Sequence, residues 1–183
     1  ILGGIRSGKS GYAEKLAGES GLPTVYAATG LAIDAEMEQR IRRHRERRPP
    51  HWFTLEEPLE LAERLGEVLD ARMERQTVIV DSIDGWIANL LLEHEDQPEK
   101  DLEQMVLGAT NHLLEVVGGS PVAAFIVSAE VGLTLVSAEP LGRVFQDILG
   151  LVNQRIADCA SRVTLVVAGL PVVIKDSAAP YDR

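Results

Sequence analysis

The chain has 183 residues, and it is poor in cysteine, in long apolar runs and in positive charge. Its one cysteine, Cys159, excludes a disulfide framework and any zinc site built from several cysteines. No apolar run approaches the roughly 20 residues of a membrane-spanning helix. No signal peptide is recognisable, so we expect a cytoplasmic protein without membrane insertion. Because the chain starts at Ile1 rather than at methionine, we expect a few residues to precede it.

Lysine and arginine together number 18, against 28 aspartates and glutamates, which gives a formal net charge of −10. Such an acidic chain is a poor candidate for nucleic-acid binding, because that function requires neutralisation of many phosphates. The length predicts one domain over residues 1–183. A chain of this size can bury a stable hydrophobic core without disulfide bonds.

The scarce positive charge is concentrated in residues 40–48, which we call the arginine segment. It contains six arginines and only one acidic residue, Glu46. One interpretation is a solvated helix face whose arginines pair with acidic neighbours. The other is an anion site, because guanidinium groups bind phosphate oxygens in a bidentate manner. A small phosphorylated ligand suits such a local segment better than a polymer does.

Short β-rich runs alternate with helical stretches along the whole chain. We predict strands at residues 1–2, 24–28, 77–81, 121–128, 162–168 and 172–174. We predict helices at residues 9–18, 34–47, 86–93, 99–117 and 141–157, with a further one starting near Pro58. The apolar run 121–128 is typical of a strand buried on both faces, and the last strand is expected to form a hairpin at a sheet edge. The alternation predicts a three-layer α/β fold with a mostly parallel sheet.

A glycine-rich motif is the strongest functional signal in the sequence. The pattern G-x-x-x-x-G-K-[ST] is matched in full by Gly3, Gly4, Ile5, Arg6, Ser7, Gly8, Lys9 and Ser10, and Gly11 follows. A predicted strand precedes it and a predicted helix follows, which is the context of a P-loop. The backbone N–H groups and the helix N-terminus would bind phosphates. Lys9 would reach the terminal phosphates, and the Ser10 hydroxyl could ligate Mg²⁺.

A P-loop usually works with an acidic residue at the end of a neighbouring strand. Two residues follow apolar runs in this way, Asp81 and Glu130. Either one could instead be a helix cap or an ordinary loop acid. Asp81 is the candidate for a second magnesium partner beside Ser10.

His44 lies inside the arginine segment, on the apolar face of the predicted helix that ends before Pro49 and Pro50. Its spacing alone favours a half-buried packing role. The surrounding arginines favour a different role, because they would keep the imidazole neutral and stabilise charge on phosphate oxygens. A neutral imidazole is a good nucleophile towards phosphorus. His51 could contact a nucleotide or cap a loop, whereas His94 and His112 are interpreted as structural.

Taken together, these residues resemble the bifunctional adenosylcobinamide kinase / adenosylcobinamide-phosphate guanylyltransferase family of cobalamin biosynthesis. The resemblance covers essentially the whole chain. The P-loop is shared with many enzymes, but the block from Asp34 to Trp52 is specific to this family. That block and its surroundings include Tyr26-Ala27-Ala28-Thr29, Glu36-Met37, Arg40-Ile41, His44-Arg45, Arg48-Pro49, His51-Trp52, Thr54 and Glu56. Further matches are Asp81, Trp86, Asn89-Leu90-Leu91, Glu130-Val131-Gly132, Arg143, Asn153-Gln154 and Val166 to Lys175.

The resemblance implies a P-loop NTPase-like (RecA-like) domain with two activities. A nucleoside triphosphate, GTP or ATP, would phosphorylate adenosylcobinamide. GTP would then guanylylate a histidine, and GMP would pass to adenosylcobinamide phosphate. His44 matches the guanylylated histidine, and the family pattern places Arg48, Pro49, Pro50, His51 and Glu56 in the guanylyl site. The resemblance also implies Mg²⁺ and a homotrimer with its site between subunits.

Several positions depart from the family pattern at strand ends. Ser82-Ile83-Asp84 stands where the family commonly has Cys-Leu-Thr, Ala129 replaces an asparagine, and Gln146 replaces an arginine. Residues 133–136 also differ from the family's run after Gly132. Two other functions are therefore weighed: a P-loop small-molecule kinase with a structural His44, and a GTP-binding protein without turnover.

Overall fold

The computed structural model of the chain describes residues 1–32, 35–72 and 75–177. The strands are β1 (Leu2–Gly3), β2 (Thr24–Ala28), β3 (Phe53–Glu56), β4 (Gln76–Asp81), β5 (Val122–Ala129), β6 (Arg162–Val167) and β7 (Leu170–Asp176). The helices are α1 (Lys9–Ser20), α2 (Ala35–Arg47), α3 (Leu61–Arg72), α4 (Ile83–Glu93), α5 (Glu99–Gly119) and α6 (Pro140–Cys159).

The strands form one seven-stranded sheet in the order β3-β2-β4-β5-β1-β6-β7. Every pairing is parallel except β6 with β7, which is antiparallel. The predicted three-layer α/β fold is therefore confirmed, including the hairpin at the edge, and it fits a P-loop NTPase-like fold. Since β5 lies between β1 and β4, the P-loop strand and the strand that ends in Asp81 are not direct neighbours.

Alternate residues of the central strands enter two separate cores, as the two-residue period of a strand requires. Val78 and Val80 of β4 belong to the larger core, which α3, α4, α5 and α6 cover. Ile79 faces the other way, into a smaller core with Tyr26, Trp52 and residues of α1. The smaller core adjoins the face on which the functional residues lie.

The expectation that residues 121–128 are buried on both faces holds only at the end of the strand. Val127, Ser128 and Ala129 are buried, whereas Val122 to Ile126 keep partial exposure and Ala123 is exposed. Pro121, Val122 and Ala123 border an open cleft with Arg75 and Ser120. Among the described residues, no helix is both long and apolar enough to cross a bilayer.

Candidate nucleotide site

The P-loop forms a tight turn between β1 and α1. Gly8, the N-cap of α1, has a φ of 99°, and Arg6 also has a positive φ, of 56°. The Ser7 N–H donates to the Gly4 carbonyl at 3.2 Å, and the Gly169 N–H donates to the Ser7 carbonyl at 2.8 Å. These bonds fix the loop between the sheet and the β6–β7 turn.

Glycine is required at the start of this loop because there is no room for a side chain. A Cβ on Gly3 would lie 2.4 Å from Ser7 Oγ and 2.7 Å from the carbonyl oxygen of Val166. At Gly8, the left-handed φ disfavours a side chain. Gly4, Ile5 and Arg6 are exposed at the top of the loop. A phosphate chain can therefore reach the loop and the first N–H groups of α1, which lack intrahelical acceptors.

The first turn of α1 places Lys9 and Ser10 beside this loop. Lys9 Nζ lies 3.4 Å from the Gly4 carbonyl oxygen, so the ammonium group folds over the loop. The Ser10 hydroxyl donates to Asp81 Oδ1 at 3.1 Å, across the strand that separates β1 from β4. The two residues expected to share a magnesium ion are thus in contact. Gly11 lies on the next part of α1, where a Cβ would sit 3.4 Å from Arg47 Nη2.

The Ser10–Asp81 pair fits a magnesium site by the chemistry of its atoms. A hydroxyl and a carboxylate oxygen are the hard ligands that Mg²⁺ prefers, and this ion commonly uses one or two protein ligands with phosphates and water. In the described part of the chain, no cluster of three or more His, Cys, Asp or Glu side chains could hold a metal by itself. A magnesium ion here would therefore depend on the bound nucleotide.

Asp81 also contacts β2. The Tyr26 hydroxyl donates a hydrogen bond to Asp81 Oδ2. Tyr26 is fully buried, and burial, followed by the negative charge of Asp81 and the hydrogen bond to it, raises the pKa of Tyr26 well above its ordinary value. The phenol therefore stays protonated and acts as a donor to the carboxylate.

His44 lies on the other side of the same carboxylate. Its Nδ1 is 4.0 Å from Asp81 Oδ2, and its side chain is 41% exposed. The imidazole thus faces an acidic group. One side chain, Asp81, connects the P-loop serine to the histidine of the arginine segment within a single chain.

The arginines of that segment have different roles. Arg42 pairs with Glu46 one turn along the exposed face of α2. Arg47 pairs with Glu14 of α1 at 2.9 Å, and Arg45 pairs with Glu56 at the end of β3 at 3.4 Å. For these three arginines, pairing with acidic neighbours is the better interpretation. Two of the pairs also fasten α2 over α1 and β3.

Arg48 differs from the others because its guanidinium covers a ring. Its Cζ lies 3.8 Å from the centroid of Tyr26. Its Nε is buried and has no hydrogen-bond partner among the described residues. A buried, unpaired N–H over the tyrosine that bonds to Asp81 is what an anion-binding arginine would present before its ligand is bound.

The segment after α2 leads away from the P-loop. The Pro49 carbonyl accepts a hydrogen bond from the Trp52 N–H at 3.0 Å, and Pro50 is exposed. His51 borders a cleft at the far end of α1, with Trp52 and residues of the α1–β2 turn. His51 is thus separated from Lys9 and Ser10 by the length of α1, whereas Glu56, at the end of β3, lies on the same side of the sheet as Asp81.

The alternative acidic residue, Glu130, has a local role. Its Oε1 accepts the Gly132 N–H at 2.6 Å, and its own N–H donates to the Gly3 carbonyl. His112 pairs with Glu63 at 3.3 Å between α5 and α3, and His94 caps α4 near Gln97. These contacts agree with the structural roles expected for His94 and His112.

The positions that depart from the family pattern also have structural partners. Ser82 caps α4 by accepting the Gly85 N–H. Asp84 Oδ1 accepts the Ala129 N–H at 2.9 Å and so connects α4 to β5. Gln146 holds the 131–139 loop through the Ser137 N–H, the Thr134 hydroxyl and the Leu135 carbonyl. Ser82, Asp84 and Gln146 thus have hydrogen-bond partners, whereas Leu133, Leu135 and Val136 are exposed.

Sequence reasoning did not single out two residues of this site, Tyr26 and Glu14. The family resemblance includes Tyr26, and it also includes the pair Ala13-Glu14 that follows the P-loop. Tyr26 could have been suspected because a phenol in an otherwise apolar strand, Thr24–Ala28, needs a polar partner when buried. Glu14 lies one helical turn after Ser10, so both share one face of α1.

A parallel sheet, a P-loop with its lysine and serine, and an acidic residue at a strand end define a P-loop nucleotide-binding protein. Over residues 1–174, the chain matches the family described as cobinamide kinase / cobinamide phosphate guanyltransferase, and it belongs to that family. It is 46% identical over 175 residues to the bifunctional adenosylcobalamin biosynthesis protein CobP of Pseudomonas aeruginosa, covering 96% of this chain and 95% of that protein. It is 35% identical over 182 residues to the bifunctional adenosylcobalamin biosynthesis protein CobU of Escherichia coli, covering 96% and 98%. The family and these relatives indicate an enzyme of cobalamin biosynthesis with kinase and guanylyltransferase activities.

Proposed function

We propose that the chain carries out both reactions of its family through one nucleotide site, with His44 as the residue that accepts GMP. The observation that carries this proposal is the shared carboxylate of Asp81. Ser10 of the P-loop donates to one oxygen, and His44 Nδ1 lies 4.0 Å from the other. A triphosphate held by the P-loop would therefore extend towards the imidazole.

The guanylyl transfer is a pair of displacements at one phosphorus atom. An imidazole nitrogen of His44 attacks the α-phosphorus of GTP, a P–N bond forms, and the bond to the β-phosphate oxygen breaks to release pyrophosphate. A phosphate oxygen of adenosylcobinamide phosphate then attacks the same phosphorus. The P–N bond breaks, His44 is regenerated, and adenosylcobinamide-GDP is formed.

In the kinase reaction, the hydroxyl oxygen of adenosylcobinamide attacks the γ-phosphorus of GTP or ATP, releasing the nucleoside diphosphate and the hydroxyl proton. Lys9 and the N–H groups of residues 3–11 would hold the β- and γ-phosphates. Ser10 and Asp81 would hold Mg²⁺, which when bound neutralises charge on the phosphate oxygens. Both reactions can thus use the same phosphate-binding loop.

Arg48 is the arginine best suited to bind the nucleotide, because its Nε is buried without a partner among the described residues. Pro49, Pro50 and Glu56 would form the rest of the guanylyl site. His51 would join it only with movement of the 48–52 segment, since it lies at the other end of α1.

Labelling with GTP that carries ³²P at the α-position tests His44 directly. We expect wild-type protein to form an acid-labile, base-stable adduct in the presence of Mg²⁺, and His44→Ala to form none. His112→Ala is a matched control, because His112 is also half-exposed and also lies beside a carboxylate. Labelling that persists in His44→Ala, or that mass spectrometry maps to another residue, would reject the assignment.

The same assay separates the two alternatives. A kinase with a structural His44 would transfer the γ-phosphoryl group and give no α-labelled protein. A GTP-binding protein without turnover would release neither pyrophosphate nor phosphorylated product.

For the whole chain, we propose one cytoplasmic domain that associates as a homotrimer. The single continuous sheet supports one domain. Apolar side chains exposed on the β6–β7 hairpin support self-association, since Val167, Leu170, Val172, Val173 and Ile174 are each at least 50% exposed.

A further inference from the structure

Tyr26 joins two parts of the site that the proposed chemistry treats separately. It lies in β2 on the sheet face that carries Asp81, because Tyr26 pairs with Ile79 and residues 79 and 81 point to the same side. Its hydroxyl donates to Asp81 Oδ2, while Ser10 donates to Oδ1. The phenol and the serine thus hold the two oxygens of one carboxylate.

These two hydrogen bonds together restrict rotation of the Asp81 carboxylate. The carboxylate torsion of an aspartate is soft, so a single hydrogen bond leaves it free to rotate. The Asp81 side chain is only 9% exposed, and water can replace a lost donor poorly there. Without the Tyr26 hydroxyl, Oδ1 would no longer be fixed towards Ser10, and His44 Nδ1 would face a mobile oxygen.

The ring of Tyr26 makes a second connection. Arg48 lies over one part of it at 3.8 Å, and the Trp52 ring is stacked at 6.4 Å between centroids. A guanidinium over a buried aromatic ring is held by cation–π attraction. The position of Arg48 therefore depends on the ring, whereas the position of Asp81 depends on the hydroxyl.

We propose that Tyr26 is a positioning residue for guanylyl transfer, whose hydroxyl orients Asp81 towards Ser10 and whose ring orients Arg48. This inference rests on the proposed function of His44. The two contacts of Tyr26 should therefore affect different measurable properties of the protein. The hydroxyl affects metal binding and the rate of transfer, and the ring affects nucleotide affinity.

Two variants separate these contacts. Tyr26→Phe removes the hydroxyl and keeps the ring, and Tyr26→Leu removes both. In single-turnover labelling of His44 by α-labelled GTP, we expect Tyr26→Phe to lower the rate at saturating GTP by about tenfold or more, the loss typical of a hydrogen bond to a charged group. Its half-saturating GTP concentration should stay within about twofold of wild type, because Arg48 keeps its ring. Tyr26→Leu should raise that concentration as well.

A binding measurement without turnover completes the test. Electron paramagnetic resonance titration with Mn²⁺, in the presence of a non-hydrolysable GTP analogue, should give weaker Mn²⁺ binding for Tyr26→Phe than for wild type. Tyr12→Phe is the control, because Tyr12 lies on α1 close to the P-loop and its hydroxyl has no hydrogen bond within the described ranges. We expect wild-type values for this control in both assays.

Wild-type Mn²⁺ affinity or a wild-type transfer rate in Tyr26→Phe would overturn the proposal. Circular dichroism at the assay temperature verifies folding. If Tyr26→Leu is unfolded, Tyr26→Phe decides alone, because it removes a single hydroxyl. If wild-type protein forms no His44 adduct, the proposed function fails. The Mn²⁺ titration still tests whether the Tyr26 hydroxyl positions Asp81 for metal binding.

Discussion

Asp81 receives contacts from three segments that are far apart in the chain. Ser10 comes from the start of α1, Tyr26 from the middle of β2 and His44 from the end of α2. The sequence predicted Asp81 and Glu130 by the same pattern, an acid after an apolar run. Asp81 was preferred as the partner of Ser10, but the pattern could not supply the geometry, which depends on the strand order and on the turn that directs Glu130 to the Gly132 N–H.

The raised pKa of Tyr26 makes the stability of the folded protein depend on pH in the alkaline range. Its pKa is raised in the folded state above the ordinary value of 10.0, first by burial and then by Asp81. Above pH 10 the unfolded chain therefore releases a proton that the folded chain retains. The stabilisation is complete below pH 10 and is lost as the pH rises.

We expect wild-type protein to lose up to about 1.4 kcal/mol of unfolding free energy per pH unit above pH 10 relative to Tyr26→Phe. Urea denaturation of both proteins between pH 8 and pH 11 measures this difference. The remaining tyrosines, lysines and arginines titrate in both proteins and cancel. If the unfolding free energies of the two proteins changed equally between pH 8 and pH 11, the pKa of Tyr26 would not be raised in the folded state.

No sequence pattern links Tyr26 with Arg48, because their contact depends on how α2 lies across the sheet. Cation–π contacts carry no spacing rule along a chain. The family resemblance included both residues without relating them. Their relation comes from tertiary packing alone.

Helix α2 carries His44 and is held at its C-terminal end by contacts to three other elements. Arg47 bonds to Glu14 on α1, Arg45 pairs with Glu56 on β3, and Arg48 covers Tyr26 on β2. Ile41 of α2 also packs closely over Gly30, since a Cβ added at Gly30 would lie 3.3 Å from the Ile41 side chain. These contacts, rather than any bond to the His44 ring, keep the imidazole near Asp81.

Glu14→Gln tests this attachment. Arg47 is 53% exposed but Glu14 only 15%, so the variant should remain folded while losing about 1–3 kcal/mol of stability. We nevertheless expect labelling of His44 to slow by about fivefold or more, because a shift of about 1 Å at a reacting group has large effects on rate. Single-turnover labelling and urea denaturation measure the two quantities.

Glu19→Gln is the matched control on the same helix. It breaks the exposed Lys15–Glu19 pair, which lies at 3.8 Å and away from α2. We expect it to label His44 at the wild-type rate. Equal rates for Glu14→Gln and Glu19→Gln would mean that the Arg47 pair does not position α2.

Most elements could be predicted from the sequence because their signals are local. Helix α2 ends at Arg47, before Pro49 and Pro50, and the strand at 24–28 has the predicted bounds. Strand β3 was missed. It has only four residues, Phe53–Glu56, and is specified by pairing with β2 rather than by alternation, although its aromatic and β-branched residues favour a strand. The N-terminal end of the helix predicted from residue 34 lies outside the described residues.

Helices cover the central strands of the sheet but leave apolar residues of the β7 edge exposed. The central strands are buried between helices, whereas β7 is the last strand in the order and its apolar residues are exposed. An exposed apolar edge strand is a ready surface for pairing with another chain. This supports the proposed contact between subunits.

Ile174→Lys tests that contact. Ile174 is 56% exposed, so we expect the substitution to leave the monomer folded while a buried charge opposes association. Sedimentation velocity should give wild-type particles of about three times the 19.9 kDa chain mass and smaller particles for the variant. Leu92→Lys, at a position 51% exposed on α4, should sediment like wild type. A variant that sediments as wild type would place the contact elsewhere.

The hydrogen bond from Gly169 to Ser7 has a consequence for such an assembly. Gly169 belongs to the turn that leads into β7, and Ser7 belongs to the P-loop. If neighbouring chains stiffen that turn, oligomerisation and GTP affinity become thermodynamically linked. By reciprocity, GTP would then tighten association by the same factor by which association tightens GTP. The enzyme would hold its nucleotide more weakly on dilution, and equilibrium dialysis over a range of protein concentrations would measure that factor.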